Sequence, residues 1–375
     1  MKVGLTLYGS LDEQSGGFRY DRKLVEGLRR AGDTVEVVEL PWRSYPRGLL
    51  DSAHPRFRER LRVDVDVMLQ DELAHPSLVG HNRDLPYPIV GVVHHLRASE
   101  GRRLTPLYRA VERRYLASVD GVVCNSAATR DAVSALGVDP GSSVVAPPAG
   151  DRFDPAIADA DITARAASLG GESSHRSAAA SDSGPLRVAF VGNLAPRKGL
   201  DTLVEGVARA DCAVDLTVVG RAVDESHVAD VRRLVRERGI GDRVRFAGRL
   251  SDAELGDILR ASHVLAVPSR YEGFGIVYLE GMSFGLPAIA SRAGGANETV
   301  TDGETGVLVD PDDPDAVARA LDGFAADPDR LAQMGRAARR RYERHPGWAE
   351  STARVRRLLA DVASAADALE PEVAT

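Results

Sequence analysis

Apolar runs and amphipathic stretches alternate along this chain with a regular beat. VGLTLY (3–8) is a continuous apolar run closed by Gly9, and residues 18–32 follow with apolar positions at helical spacing and a glycine stop. TVEVVEL (34–40) predicts a strand ended by Pro41, VDVDVML (63–69) alternates with a period of two, and YPIVGVVHHL (87–96) is β-branched and apolar. A helix over 105–119, a strand over 121–125, a helix over 126–137 and a strand over 142–146 continue the series. Such alternation predicts a parallel sheet covered on both faces.

The beat stops after residue 155. Residues 156–185 end in a Ser-, Ala- and Gly-rich stretch with little to bury, so 151–185 is expected to be a linker or surface insertion. From RVAFVGN (187–193) the alternation resumes, with strands at 214–220, 244–248, 263–269, 287–291 and 306–310 and helical patterns between them. Helices over 313–325 and 328–345 follow, and a last amphipathic run, 348–369, has no strand after it. The expected class is α/β, with two doubly wound, Rossmann-like domains (1–150 and 186–345) facing each other across a cleft. A length of 375 residues agrees, because one core seldom grows that large.

Composition narrows the partners. The 48 Lys and Arg against 55 Asp and Glu give a net charge of −7, a poor basis for non-specific nucleic-acid binding, and none is expected. No run approaches the ~18 apolar residues that cross a bilayer, and the polar, Gly-rich N-terminus is unlike a secretory signal. Cys124 and Cys212 lie in apolar runs and read as buried thiols of a reducing compartment. A soluble cytoplasmic protein is expected. Only Lys2, Lys23 and Lys198 among the 48 basic residues are lysines, so each is either an accident or a place needing a compact ammonium.

Doubly wound sheets bind ligands beyond the carboxyl ends of their strands, so the strand-to-helix junctions are where chemistry is sought. Gly16 and Gly17 open the first helix, where they either turn the chain or let backbone N–H groups approach an anion. Arg197 and Lys198, in VGNLAPRKGLD (191–201), add two cations at another helix mouth. They are an exposed pair or a grip for a departing pyrophosphate. In PSRYEGFGIVYLEGMSFG (268–285), Glu272 precedes a tight Gly273-Phe274-Gly275 turn at a helix start, and Glu280 lies in the otherwise apolar helix that follows. Carboxylates so placed suit sugar or ribose hydroxyls. The Gly294-Gly295 pair, with Glu298 behind it, closes over a phosphate or base, or simply turns the chain. His94 and His95 end a central strand, where a histidine serves as acid, base or hydrogen-bond donor. The other histidines lack ligand spacing, so no metal is expected.

Together these residues resemble the family 4 retaining glycosyltransferases of the GT-B fold, over most of the chain. The resemblance rests on the Gly pair, the histidine after the fourth strand, G-x4-R-K-G, E-G-F-G-x4-E and A-G-G-x2-E. It implies a nucleotide-diphosphate sugar as co-substrate, with no cofactor, held mainly by the second domain. Arg197 and Lys198 then grip the diphosphate, with Gly16 and Gly17 approaching from the first, acceptor-binding domain. Glu272 stands near the transferred sugar, and the backbone of Gly273, Phe274, Gly275 and Ile276 contacts sugar and phosphate. Glu280 binds the ribose, His94 stands beside the sugar, and Glu298 is a weaker correspondence. The last helix, 346–375, is expected to return to the first domain. One departure is Asn193, where the family often has Arg.

The implied reaction is retaining hexosyl transfer to a hydroxyl of a glycan or lipid-linked acceptor. With no evident nucleophile, front-face transfer is expected, without an obligatory metal. A catalytically silent scaffold that binds a nucleotide sugar or a protein partner is the alternative that Asn193 favours. An NAD-dependent oxidoreductase is not supported, because neither domain has the glycine fingerprint followed by its ribose-binding acid. Arg97, Arg102, Arg103, Arg109, Arg113 and Arg114 in 97–116, with RFRERLR (56–62), form a basic face. That face is either a solvated helix surface or a peripheral contact with the inner face of a membrane.

Overall fold

The computed structural model describes residues 1–13, 15–100, 104–139, 141–169 and 184–368. The chain divides into two units: Met1–Pro148 with the segment from Pro346 onward, and Ala149–His345.

Unit 1 holds strands β1 (Lys2–Tyr8), β2 (Thr34–Leu40), β3 (Val67–Asp71), β4 (Ile89–Val93), β5 (Gly121–Cys124) and β6 (Ser142–Val145). Its helices are α1 (Gly16–Arg30), α2 (Tyr45–Asp51), α3 (Pro55–Arg60), α4 (His75–Leu78), α5 (Thr105–Leu116) and α6 (Ala127–Ser134). The six strands pair in parallel in the order β2-β1-β3-β4-β5-β6. Every residue of β3, β4 and β5 is buried, as strands covered on both faces must be.

Unit 2 opens with α7 (Asp159–Ala167), followed by β7 (Leu186–Val191), α8 (Leu200–Arg209), β8 (Val214–Val219), α9 (Glu225–Glu237), β9 (Val244–Gly248) and α10 (Asp252–Ala261). It continues with β10 (Val264–Val267), α11 (Ile276–Ser283), β11 (Ala288–Ser291), β12 (Gly306–Val309), α12 (Pro314–Ala326) and α13 (Pro328–Glu343). Its parallel sheet runs β12-β11-β10-β7-β8-β9. The strands that carry the candidate loops, β7, β10 and β11, are therefore neighbours at the centre. Their carboxyl ends form one edge.

Two expectations need correcting. The 151–185 segment is not all linker: α7 buries Ile162 and Ala166 against unit 2, and Arg165 donates to the carbonyls of Phe284 and Gly285 at 3.0 and 2.7 Å. Two buried apolar positions in nine residues are too few to show a helical period. Residues 170–183, the Ser-rich core of that segment, lie outside the described residues. The strand expected over 63–69 instead spans Val67–Asp71, because the ladder with β1 starts at Val3↔Val67 and continues into polar sequence. Gln70 is tolerated there by reciprocal amide hydrogen bonds with Asn82, at 3.0 and 3.1 Å.

The last helix, α14 (Trp348–Asp367), belongs to unit 1. It buries Trp348, Val355, Leu358, Leu359 and Val362, Ser351 donates to the Pro147 carbonyl, and Arg356 forks onto buried Asp33 at 2.7 and 3.1 Å.

Candidate active site

In unit 2 the residues after β7 and β10 converge. The loop from Gly192 narrows into a 3₁₀ turn, Pro196–Lys198, before α8 begins. Lys198 donates through Nζ to the Oε1 of Glu272, and Arg197 lies 3.6 Å from the same oxygen. Ser269 adds a hydroxyl hydrogen bond at 2.8 Å. Lys198 and the buried Glu272 carboxylate, 74 residues apart in sequence, thus share one point with Arg197. Burial alone would raise the Glu272 pKa. The charge of Lys198, then that of Arg197, and the hydrogen bonds from Lys198 and Ser269 outweigh it and bring it down to about 2. Burial lowers the Lys198 pKa, and Glu272 offsets part of that. With these pairs in place Glu272 is ionised at neutral pH and acts as a hydrogen-bond acceptor.

Three backbone loops hold this point in place. Arg270 donates its backbone N–H to the Arg197 carbonyl at 2.8 Å, and its guanidinium bonds to the Pro196 carbonyl and to Asp201. Gly295 donates to the Glu272 carbonyl at 2.8 Å. A Cβ on Gly294 would collide with that same carbonyl, and one on Gly295 with the carbonyl of Gly273. The second Gly pair therefore seats its loop directly on the backbone of the Glu272 loop, a job the sequence reading left between ligand contact and a turn. Glu298 is half-buried at the end of this turn, and its carbonyl accepts from Arg341 at 2.8 Å.

Gly275, at positive φ, caps α11, whose first residue is Ile276, and the Phe274 ring is buried 5.6 Å from that of His345. Seven of the eight α11 residues are buried, Glu280 among them. Its carboxylate lies 3.5 Å from Arg152, which also holds Asp252 at 2.7 Å. Nothing in the local pattern around Arg152 foretold that contact.

In unit 1, Gly16 and Gly17 form the first turn of α1, with Ser15 as N-cap. His94, directly after β4, lies against this turn: a Cβ on Gly17 would sit 3.2 Å from the imidazole Cδ2. The His94 Nε2 is 3.3 Å from Asp21 Oδ1, its backbone N–H donates to Glu72 at 2.9 Å, and Tyr20 packs edge-on against the ring. His95 instead pairs with Glu100 at 2.9 Å. Asp21, Asp71 and Glu72 are buried, and sequence reasoning missed all three, because a single polar residue in a helix or at a strand end reads as solvated. Atoms of Asp21, Asp71 and His94 come within 4.8 Å of one another, close enough for a cation, yet the imidazole nitrogen aims at the Asp21 oxygen at hydrogen-bond distance. The imidazole and the Asp21 carboxylate are thus within hydrogen-bond reach of each other, with Asp71 alongside.

The basic segment is partly engaged. Arg97 lies 5.2 Å from the centroids of both Tyr45 and Tyr108, and Arg109 donates to the Ala135 carbonyl at 2.7 Å. Arg113 and Arg114 are exposed on α5 beside Leu107, while Arg102 and Arg103 lie outside the described residues.

Residues 172–341 match the family model "Glycosyl transferases group 1", and residues 15–151 match "Glycosyltransferase Family 4". A GDP-mannose-dependent alpha-(1-6)-phosphatidylinositol monomannoside mannosyltransferase of Mycolicibacterium smegmatis is 35% identical over 179 residues, 46% of this chain and 47% of that protein. A D-inositol 3-phosphate glycosyltransferase of Salinispora tropica is 34% identical over 283 residues, 70% of this chain and 56% of that one. The chain spans about half the length of these curated relatives. Among solved structures, sucrose-phosphate synthase of Thermosynechococcus elongatus superposes with a TM-score of 0.80 at 25% identity, covering 97% of this chain and 99% of that one. Anabaena HepE in complex with UDP and glucose gives 0.75 at 18% identity, covering 96% and 100%. The chain belongs to the family 4 glycosyltransferases of the GT-B fold.

Proposed function

We propose that this protein transfers a hexosyl unit from a nucleoside-diphosphate sugar to a hydroxyl of a glycan or lipid-linked acceptor, with retention at the anomeric carbon. The observation that carries the reading is the cluster of Lys198, Arg197 and Glu272 at the central strand ends of unit 2. A diphosphate leaving group gains negative charge as its bond to the sugar breaks, and two positioned cations stabilise that charge where it develops. When the diphosphate takes over Lys198 and Arg197, the Glu272 carboxylate loses its ion pairs and turns to the sugar hydroxyls. The N–H groups at the start of α11, from Gly275 and Ile276, add partial positive charge. Glu280 is assigned to the ribose, and His94 to the sugar as a hydrogen-bond donor.

Retention follows if the acceptor oxygen bonds to the anomeric carbon on the face from which the diphosphate oxygen departs. The departing phosphate oxygen takes the acceptor's proton, so no enzyme nucleophile is consumed. Lys198, Arg197 and the helix end supply the positive charge, so an obligatory metal is not part of the proposal.

The relatives' names support starting with GDP-mannose and an inositol-bearing acceptor, alongside UDP- and ADP-sugars. Proton NMR of the product should show the donor's anomeric configuration, with activity unchanged in EDTA. Inverted product would overturn retention, and neither transfer nor donor hydrolysis across the panel would favour the silent scaffold. We place the peripheral membrane contact on α5, where Leu104 and Leu107 are about half exposed, at 55% and 45%, beside Arg109, Arg113 and Arg114. Co-sedimentation with anionic but not neutral vesicles is expected. Equal partitioning to both would remove the basic face from the account.

A further inference from the structure

The ground behind His94 is unusually acidic for a protein interior. From α1 comes Asp21, fully buried, with Oδ1 on the His94 ring. From β3 and the turn after it come Asp71 and Glu72, 2% and 7% exposed, and Glu72 also fixes the His94 backbone. Among the described residues, Tyr20 from α1 packs edge-on against the ring, and Thr129 from α6 sends its hydroxyl to the His94 carbonyl. A buried carboxylate must be paired or protonated. Among the described residues, the second Asp21 oxygen has no hydrogen-bond partner.

We propose that Asp21 is a positioning residue that fixes His94 through Nε2 and keeps its imidazole a cationic donor, leaving Nδ1–H for an oxygen of the bound ligand. Gly17, one turn before Asp21 on α1, belongs to the same device, since a Cβ there would press on the Cδ2–Nε2 edge of the ring, 3.2 Å from Cδ2. Burial works against charge on His94. The Asp21 charge and hydrogen bond, then Glu72 and Asp71, overcome it and raise the ring to about 10. Burial, followed by the Asp21 charge, raises Asp71 to about 7, and burial with the Asp71 charge raises Glu72, so these two carboxylates hold protons more readily than free ones. His94 then acts as a donor or electrostatic support and is unsuited to be a base, a distinction the sequence left open. The part concerning the ligand rests on the transferase reading; the charge state does not.

Titration of the ligand-free full chain labelled with ¹⁵N-histidine, with His94 assigned through His94→Gln, tests the charge state directly. The His94 midpoint is expected above pH 8.5 in the wild type and at least two pH units lower in Asp21→Asn, which keeps the shape but not the charge. The alkaline limb of kcat should move down with it. Should Asp21→Asn fail to fold, Asp71→Asn is expected to shift the midpoint in the same direction by less. A wild-type midpoint near 6.5, or one unmoved by the variants, overturns the proposal. So does displacement of the His94 proton by added Mn²⁺. A high midpoint in a protein with no transferase activity would defeat the functional reading alone.

Discussion

Glu272 is buried between two cations, and its removal acts on both sides of that pairing. In Glu272→Ala the sugar loses an acceptor, so kcat should fall about 10²–10³-fold, the range for losing one positioned polar group. Lys198 and Arg197 are meanwhile released from their internal partner, so the nucleoside diphosphate itself should bind as tightly or tighter. Calorimetry with the diphosphate beside single-turnover kinetics separates the two effects, and unchanged turnover would take Glu272 out of the site. Lys198→Ala inverts the pattern. Diphosphate affinity falls, more steeply when Arg197 is also replaced, and stability drops by about 3 kcal/mol, the low end for breaking a buried pair because Arg197 remains. The sign of the pH dependence follows from the depressed Glu272 pKa. Its pairs contribute fully above the ordinary carboxyl value of 4.5, and that contribution is lost as pH falls toward about 2.

At the scale of elements, period-two and period-3.6 patterns were enough to place most of the strands and the long helices, because each presents an apolar face to a sheet. The short helices α2 and α4 were invisible for the opposite reason, and α3 was legible only as a basic amphipathic piece over 56–62, since six residues of PRFRER show only Phe57 to the core. Motif spacing located Arg197, Lys198 and Glu272, but not their mutual pairing, which depends on three loops meeting at neighbouring strand ends. Asp21, Asp71 and Glu72 were missed because burial of a carboxylate is a tertiary fact with no local period. The Gly294 loop is where the pairing can be tested without touching a charged group. Gly294 has φ +80° and its missing Cβ would strike the Glu272 carbonyl. Gly294→Ala should therefore cost about 1–3 kcal/mol and push the Glu272 loop aside. Turnover should fall at least tenfold with Lys198 and Arg197 intact; wild-type turnover in a folded Gly294→Ala protein would show that this loop does not position the carboxylate.

At the scale of the whole molecule, the chain leaves unit 1 at Pro148, builds unit 2, and re-enters unit 1 with α14. Unit 1 is thus made from two ends of the sequence, and its core is incomplete until the last helix is present. The five apolar side chains that α14 buries contribute about 1.5–3 kcal/mol each, roughly 10 kcal/mol together. That is comparable to the entire stability of an ordinary domain, about 5–15 kcal/mol. Among the described residues, loss of Arg356 leaves buried Asp33 with one ion-pair partner, the N-terminal ammonium 3.1 Å away. A chain ending at residue 345 should therefore keep unit 2 folded and lose unit 1. Two-step unfolding of the full chain would collapse to the unit 2 transition alone, and hydrogen exchange would show β1 through β6 unprotected while β7, β10 and β11 stay slow. Adding back a 346–368 peptide should restore protection to unit 1, because the helix contributes contacts and not merely connectivity. Full protection of β1 through β6 in the shortened chain would mean that α14 covers a unit already stable by itself.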